Sequence, residues 1–312
     1  MSLKSPKNVN LNHSKILEKR LYFKSSEKMT EIEDSTIDLI ITSPPYFNIK
    51  DYSKNGTQDL IHSSLHQKDI GNINNYSDYI KNLLKVWKEC ERVLKPNGKL
   101  CINVPPLPMP KKEINDHYNR TIYDLQSDIQ NSILKNTSLH LYDLYIWKRT
   151  NSQKRLMFGS YPFPRNFYNN NICEFIAVYV KDGKPNNNIP LEIKERSKLT
   201  EKEWLEYTQQ VWEIPMPNKS DSAYGQHPSI MPAEIVKRLV RLFTFEGDAV
   251  LDPFAGSGTT LKVAQELNRK WVGYEVYENY ETVIKEKLRE KQVKSGLEFT
   301  SFSRNFSLIT VS

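Results

Sequence analysis

The chain has 312 residues, 38% hydrophobic and 26% charged, with a formal net charge of +7. That is enough apolar material for one large α/β domain with an insert, or for two domains, and the mixed charges exclude a disordered polyelectrolyte. The basic balance, with a pI of about 9.0, is compatible with a polyanionic partner, because lysines and arginines displace counterions from phosphates.

The three cysteines, Cys90, Cys101 and Cys173, form no CxxC pair or other metal-ligand spacing. No metal is expected, and the sparse set points to a reducing compartment. Residues 1–12 lack the apolar core of a signal peptide, and no apolar run approaches the ~20 residues that span a bilayer. A cytoplasmic protein without membrane contact is expected.

Residues 1–20 are polar and lysine-rich and read as a mobile arm or a surface helix. The first strong strand is Ile37-Asp38-Leu39-Ile40-Ile41-Thr42, apolar on both faces as a buried parallel strand should be. Ser43-Pro44-Pro45-Tyr46 must end it, since two prolines cannot continue a ladder. Residues 47–75 carry no sustained apolar period and read as a long loop. Helical spacing returns from Tyr76 to Leu94, ended by Lys95-Pro96-Asn97-Gly98, where Gly98 is able to take a positive φ. A strand over 99–104, a helix near 121–134, and strands near 139–147 and 173–180 follow. Residues 181–226 are rich in Asn, Lys, Pro and Glu with scattered aromatics, and read as a separate recognition insert. The last third returns to α/β alternation. It has a helix near 232–243 and a strand at 249–251. A helix over about 260–267 and a strand over 271–275 follow.

Two motifs carry chemistry. In Asp252-Pro253-Phe254-Ala255-Gly256-Ser257-Gly258-Thr259-Thr260, at a strand-to-helix turn, the glycines allow backbone to approach a ligand and the helix offers free N–H groups. Glu275, ending the next strand, is placed to accept two ribose hydroxyls of an adenosine-type cofactor. The third glycine of the dinucleotide fingerprint is missing, and no GK[ST] follows, which argues against a P-loop. At Thr42–Tyr46, the second motif, the prolines present carbonyls in a rigid turn, Ser43 offers a hydroxyl, and Tyr46 offers a flat face to a planar ligand. Phe47 and Tyr161 are further candidates for that pocket wall.

Together, and in this order, the two motifs resemble the beta group of DNA amino-methyltransferases. Asp38–Ile41, Val93–Gly98, Trp147-Lys148, Phe158–Pro162, Glu174-Phe175, His227-Pro228 and Pro232 are similar to elements of the same group, so the resemblance covers roughly residues 36–285. The Gly-Asp pair that many relatives carry before the catalytic strand is replaced by Lys24-Ser25-Ser26-Glu27, and no cofactor contact is assigned there.

The resemblance implies a Rossmann-like methyltransferase fold, with a seven-stranded, mostly parallel sheet and an inserted target-recognition region. The implied parts are an arm at 1–20, a catalytic part at 21–180, the insert at 181–226, a cofactor-binding part at 227–295 and a tail at 296–312. S-adenosyl-L-methionine is the implied cofactor, held by residues 252–260, Glu275, His227 and Pro228. Ser43, Pro44, Pro45 and Tyr46 are the implied catalytic residues, acting on an exocyclic amine of a flipped base in double-stranded DNA. Ser-Pro-Pro-Tyr is commoner in N4-cytosine enzymes, which puts cytosine ahead of adenine. Lys148, Arg149, Lys154, Arg155 and Arg165 beside the pocket strands are candidate DNA contacts, and a paired restriction endonuclease is an allowed partner. A nucleotide-cofactor oxidoreductase, an inactive DNA-binding module and an RNA substrate are the alternatives. The missing third glycine opposes the first and the intact motifs oppose the second.

Overall fold

The computed structural model describes residues 20–47, 69–73, 75–108, 122–152, 160–165 and 171–289. Most of the expected arm, most of the expected 47–75 loop and the tail lie outside them.

Eight strands form one sheet: β1 (Arg20–Phe23), β2 (Ile37–Thr42), β3 (Leu94–Val104), β6 (Leu139–Arg149), β7 (Cys173–Lys181), β8 (Val211–Ile214), β9 (Ala249–Asp252) and β10 (Lys270–Glu275). Their order is β1-β10-β9-β2-β3-β7-β6-β8, and a separate hairpin joins β4 (Leu107–Pro108) to β5 (Ile122–Tyr123). Only β7 runs against the rest, pairing antiparallel with β3 and β6. The sheet thus exceeds the seven strands expected.

Alternation along β2 shows how two cores are fed by one strand. Ile37 and Ile40 join the cluster beneath helices α1 (Tyr76–Val93) and α2 (Leu125–Asn136). Leu39 and Ile41 join the opposite cluster, with α5 (Ala233–Phe243), α6 (Thr259–Glu266) and α7 (Glu281–Arg289). Both faces of the central strand are buried, which explains its unbroken apolar run.

The chain proceeds outward from β2 to β3 in one direction and from β9 to β10 in the other, while β2 and β9 pair parallel through Leu39↔Val250 and Ile40↔Leu251. The crevice outside the carboxyl ends of this central pair is where an open α/β sheet binds ligands. Both sequence motifs begin there.

The 181–226 stretch is knitted into this body. It contributes α3 (Leu191–Ser197), α4 (Glu201–Tyr207) and β8, the strand that brings the sheet to eight. Fully buried Trp212 stacks on Tyr145 with ring centroids 4.5 Å apart. Buried Arg238 of α5 lies over Tyr207 and Trp212 and pairs with Glu206 and Glu234. A single large aromatic anchors β8, so no apolar run announced it. The irregular stretch early in β3, between Leu94 and Lys99, also departs from the sequence reading. Asn97 has the positive φ of 63°, not Gly98. Asparagine tolerates that region, and Gly98 serves close packing instead, since a Cβ there would lie 2.9 Å from Leu94 Cδ2 and from the Lys95 carbonyl.

Candidate active site

A cavity of about 680 Å³ opens at the carboxyl ends of β2 and β9. Its wall includes Ser43, Pro45 and Tyr46 from one motif, and Asp252, Pro253, Phe254, Ala255, Gly256, Ser257, Thr259 and Thr260 from the other. Glu275, His227 and Pro228 line it too. Pro44 is buried outside the lining, and Gly258 faces α7, where a Cβ would stand 3.0 Å from Ile284 Cγ2.

The motifs are bonded to each other where the strands end. Thr42 Oγ1 donates to Asp252 Oδ1 at 2.8 Å, and the Phe254 amide reaches the same oxygen at 3.1 Å. Burial pushes the Asp252 carboxyl up to about 6, against the pull of hydrogen bonds from Thr260, Thr42 and the Phe254 amide. The tetrapeptide is held from behind by Tyr79 Oη, which donates to the Pro45 carbonyl at 2.9 Å. Ser43 Oγ and Tyr46 Oη lie 3.2 Å apart, and Tyr46 Oη is 3.5 Å from Glu174 Oε2. Glu174 is buried, accepts from Asn103 Nδ2 at 2.7 Å and faces Arg149 at 3.5 Å.

At the other end, Glu275 is buried and accepts the Gly256 amide at 2.8 Å on one oxygen and the Tyr277 amide at 3.0 Å on the other. A carboxylate has lone pairs left for further donors. Gly256 has φ +50°, and a Cβ there would lie 2.9 Å from His227 Nε2. The imidazole has little room to yield, because it packs on Tyr280 with centroids 4.7 Å apart and takes the Ser229 amide on Nδ1 at 3.2 Å. Gly256→Ala is therefore expected to cost more stability than Gly225→Ala. The latter has φ +78° with nothing within 4 Å, so it carries the left-handed penalty of about 1–2 kcal/mol alone. Thermal melting of the two variants checks the difference.

Behind the glycine turn lies a buried cation. Lys287 of α7 is fully buried, with Nζ 3.0 Å from Thr259 Oγ1, 3.3 Å from Ser257 Oγ and 2.9 Å from Asp221 Oδ1. It ties the turn to the 181–226 stretch, whose Met216, Pro217, Tyr224 and Gly225 line the cavity.

The sequence-derived basic residues fare unevenly. Lys148 is partly exposed and pairs with Glu213 at 2.6 Å. Arg149 turns inward, donating to the Asn171 and Ile172 carbonyls beside Glu174. Arg165 is exposed, and Lys154 and Arg155 lie outside the described residues. Phe47 does not line the cavity. It is buried among Tyr76, Tyr79 and Tyr123, because the chain turns into the core after Tyr46. Tyr161 is 71% exposed and also outside the lining. Sequence reasoning missed Asp69, Asn103 and Tyr277, and it set aside Ser25 and Ser26, all of which line the cavity. Ser26 Oγ and Asn103 Oδ1 are buried there without a hydrogen-bond partner. Only the position of 24–27 before the catalytic strand was a signal for them.

Known proteins resemble this chain in sequence and fold. Residues 37–286 match the family model for DNA methylases of the N6/N4 methyltransferase type. The type II methyltransferase M.MjaI of Methanocaldococcus jannaschii is 30% identical over 292 residues, 90% of this chain and 94% of that protein. M.MthZI of Methanothermobacter thermautotrophicus is 28% identical over 87% of this chain and 76% of its own. A Thermus thermophilus protein assigned as a DNA modification methylase, solved in complex with S-adenosyl-L-methionine, superimposes with a TM-score of 0.64. It is 26% identical over 86% of this chain and 93% of that one. The PvuII cytosine-N4-specific DNA methyltransferase shares the fold, with a TM-score of 0.61 and 18% identity over 88% of each chain. With the glycine turn, the proline-ended strand and their common cavity in the same order along the chain, the protein belongs to the DNA methylase family of N6/N4 methyltransferases.

Proposed function

We propose that this S-adenosyl-L-methionine-dependent DNA methyltransferase modifies N4 of cytosine in double-stranded DNA, with the target base flipped into the cavity. The observation that carries the reading is the single cavity in which Ser43 and Tyr46 face the 252–260 turn, joined by the Thr42–Asp252 hydrogen bond.

The residues present fit the cofactor. Ser26 Oγ is an unpaired buried polar atom in the wall, and Glu275, already holding the Gly256 amide of the glycine turn, retains acceptor capacity. Residues 252–260 with His227 and Pro228 would enclose the cofactor, and Glu275 would accept its ribose hydroxyls. When bound, it supplies an electrophilic methyl group on a sulfonium centre. The chain's own part is to prepare the amine, whose lone pair is conjugated with the base ring. A hydrogen bond from the amino N–H to Ser43 Oγ aligns that lone pair, a gain from positioning and preorganised electrostatics. Tyr46 stacks on the extruded base. No covalent cysteine intermediate is required.

Ser43 supports cytosine over adenine through the family's usage of serine at this place. The 216–225 loop at the cavity wall supports a target-recognition role for the 181–226 stretch. Lys148 and Arg165 supply exposed charge for phosphates, and a paired endonuclease fits the type II relatives. The test is to incubate the protein with cofactor and duplex DNA, digest to nucleosides and identify the product by mass spectrometry. N4-methylcytosine is expected. N6-methyladenine overturns the base assignment, and no methylated nucleoside overturns the activity.

A further inference from the structure

Two segments 208 residues apart meet in the cavity wall. Tyr277 Oη donates to Asp69 Oδ2 at 2.7 Å, and the Gly71 amide donates to Asp69 Oδ1 at 2.8 Å. Asn72 Nδ2 adds a longer contact to Tyr277 Oη at 3.4 Å. Asp69 is 5% exposed, so hydrogen bonds such as these replace the solvation its carboxylate gave up. The turn at residues 70–72 packs against the catalytic tetrapeptide. A Cβ on Gly71 would lie 3.0 Å from Pro45 Cβ and 3.5 Å from the Tyr46 carbonyl oxygen.

Tyr277 also reaches the cofactor end. Its amide donates to Glu275 Oε1, and Glu275 Oε2 takes the Gly256 amide. Its ring sits edge-on to Tyr280, which packs on His227. A continuous path therefore runs from Gly256 through Glu275, Tyr277, Asp69 and Gly71 to Pro45. Its hydrogen bonds are all 3.0 Å or shorter, and its last step is a packing contact. The Thr42–Asp252 bond joins the same two motifs at the strand ends, but it reaches neither Glu275 nor the turn behind Pro45.

We propose that Asp69 and Tyr277 are a positioning pair through which occupancy of the cofactor end of the cavity fixes the catalytic tetrapeptide at the base end. This rests on the cofactor and target-base reading above. A ligand that engages Glu275 holds the carboxylate whose other partner is the Tyr277 amide. Tyr277 then holds Asp69, and Asp69 holds the turn behind Pro45. Such coupling is a free energy, and it is reciprocal: the cofactor tightens capture of the flipped base by the factor with which the base tightens the cofactor.

The experiment uses the full chain and a duplex containing the site found by sequencing methylated DNA from expressing cells, with a mismatch at the target to ease extrusion. Anisotropy measures duplex affinity with and without S-adenosylhomocysteine, and calorimetry measures S-adenosylhomocysteine affinity with and without the duplex. Wild type is expected to give the same factor both ways, about fivefold or more. Tyr277→Phe and Asp69→Ala should each bring the factor close to one, and the double variant should lose no more than either alone. Asp69→Asn keeps an acceptor for the phenol and should retain most of the coupling. In single turnover, Tyr277→Phe should lower kcat more than it raises KM for the cofactor. Should Asp69→Ala not fold, Tyr277→Phe and Asp69→Asn decide the matter. A wild-type factor of one, or an unchanged factor in Tyr277→Phe, overturns the pair. Absence of methyl transfer by wild type overturns the underlying reading instead, whereas methyl transfer without coupling overturns the pair alone.

Discussion

Ser43→Ala is expected to slow single-turnover methylation about a hundredfold, the scale of losing one preorganised polar contact at the reacting centre, with little change in DNA or cofactor affinity. The hydroxyl borders the cavity 3.2 Å from Tyr46 Oη. Its interaction with the amine counts most in the transition state, so the loss falls on kcat. Tyr46→Ala should behave differently, weakening capture of the flipped base by roughly 1–3 kcal/mol, the worth of one base–aromatic stack. Tyr46→Phe keeps the ring, loses the hydroxyl's contacts, among them those with Ser43 and Glu174, and should be milder. A mismatch at the target already unpairs the base, so it should restore part of the Tyr46→Ala loss and little of the Ser43→Ala loss. Methylation of matched and mismatched duplexes by the three variants measures this. Equal rescue of both alanine variants would merge the two roles, and full activity of Ser43→Ala would place the chemistry elsewhere.

Cofactor affinity is expected to fall as pH drops through about 7, and Glu275 is the reason. Burial pushes its carboxyl up from 4.5 to about 7, the nearby Asp69 charge adds to the rise, and the Tyr277 and Gly256 amides oppose it. Two ribose hydroxyls need an ionised acceptor, so affinity should weaken by up to about tenfold per unit below that value. Glu275→Ala should weaken binding by roughly 1–3 kcal/mol at pH 8, and Glu275→Gln should flatten the pH profile. Stability should run the opposite way. With its carboxyl raised in the folded state, the folded chain holds more protons than the unfolded one between 4.5 and about 7. This group's stabilising contribution is full below that window and is lost as pH rises through it. Asp252, raised to about 6, acts in the same sense. The unliganded protein should therefore melt lower as pH rises from 5 to 8, while the increment conferred by S-adenosylhomocysteine grows. Calorimetry and melting curves across that range check both trends. A pH-independent affinity in wild type would remove Glu275 from the site.

The parts legible in the sequence were those with a local signature. An apolar run stopped by two prolines located β2, and Gly256 and Gly258 between apolar β9 and α6 located the turn. The regular return of an apolar strand placed Glu275. The chemistry around them was not legible, because it depends on pairs such as Thr42 with Asp252 and Asp69 with Tyr277, more than 200 residues apart. Nothing in the spacing of an isolated Asp or Tyr marks such a partner. Arg149 shows the converse. Its neighbours in sequence suggested a phosphate contact, whereas burial beside Glu174 gives it structural acceptors. β8 escaped notice because four residues anchored by Trp212 lie in a polar stretch.

The buried ammonium of Lys287 sets where the working unit stops. The recognisable motifs end at Glu275, and the family match ends at residue 286, one position short of that lysine. A protein trimmed to those limits would retain nearly every residue lining the cavity. It would also leave Asp221 without its cation and the Ser257 and Thr259 hydroxyls without their shared donor. Lys287 thus lies beyond the family-match boundary, yet it holds the glycine turn and the 181–226 stretch in one piece. Truncation limits belong after α7, and any exchange of the 181–226 stretch between relatives should carry Asp221 and Lys287 together.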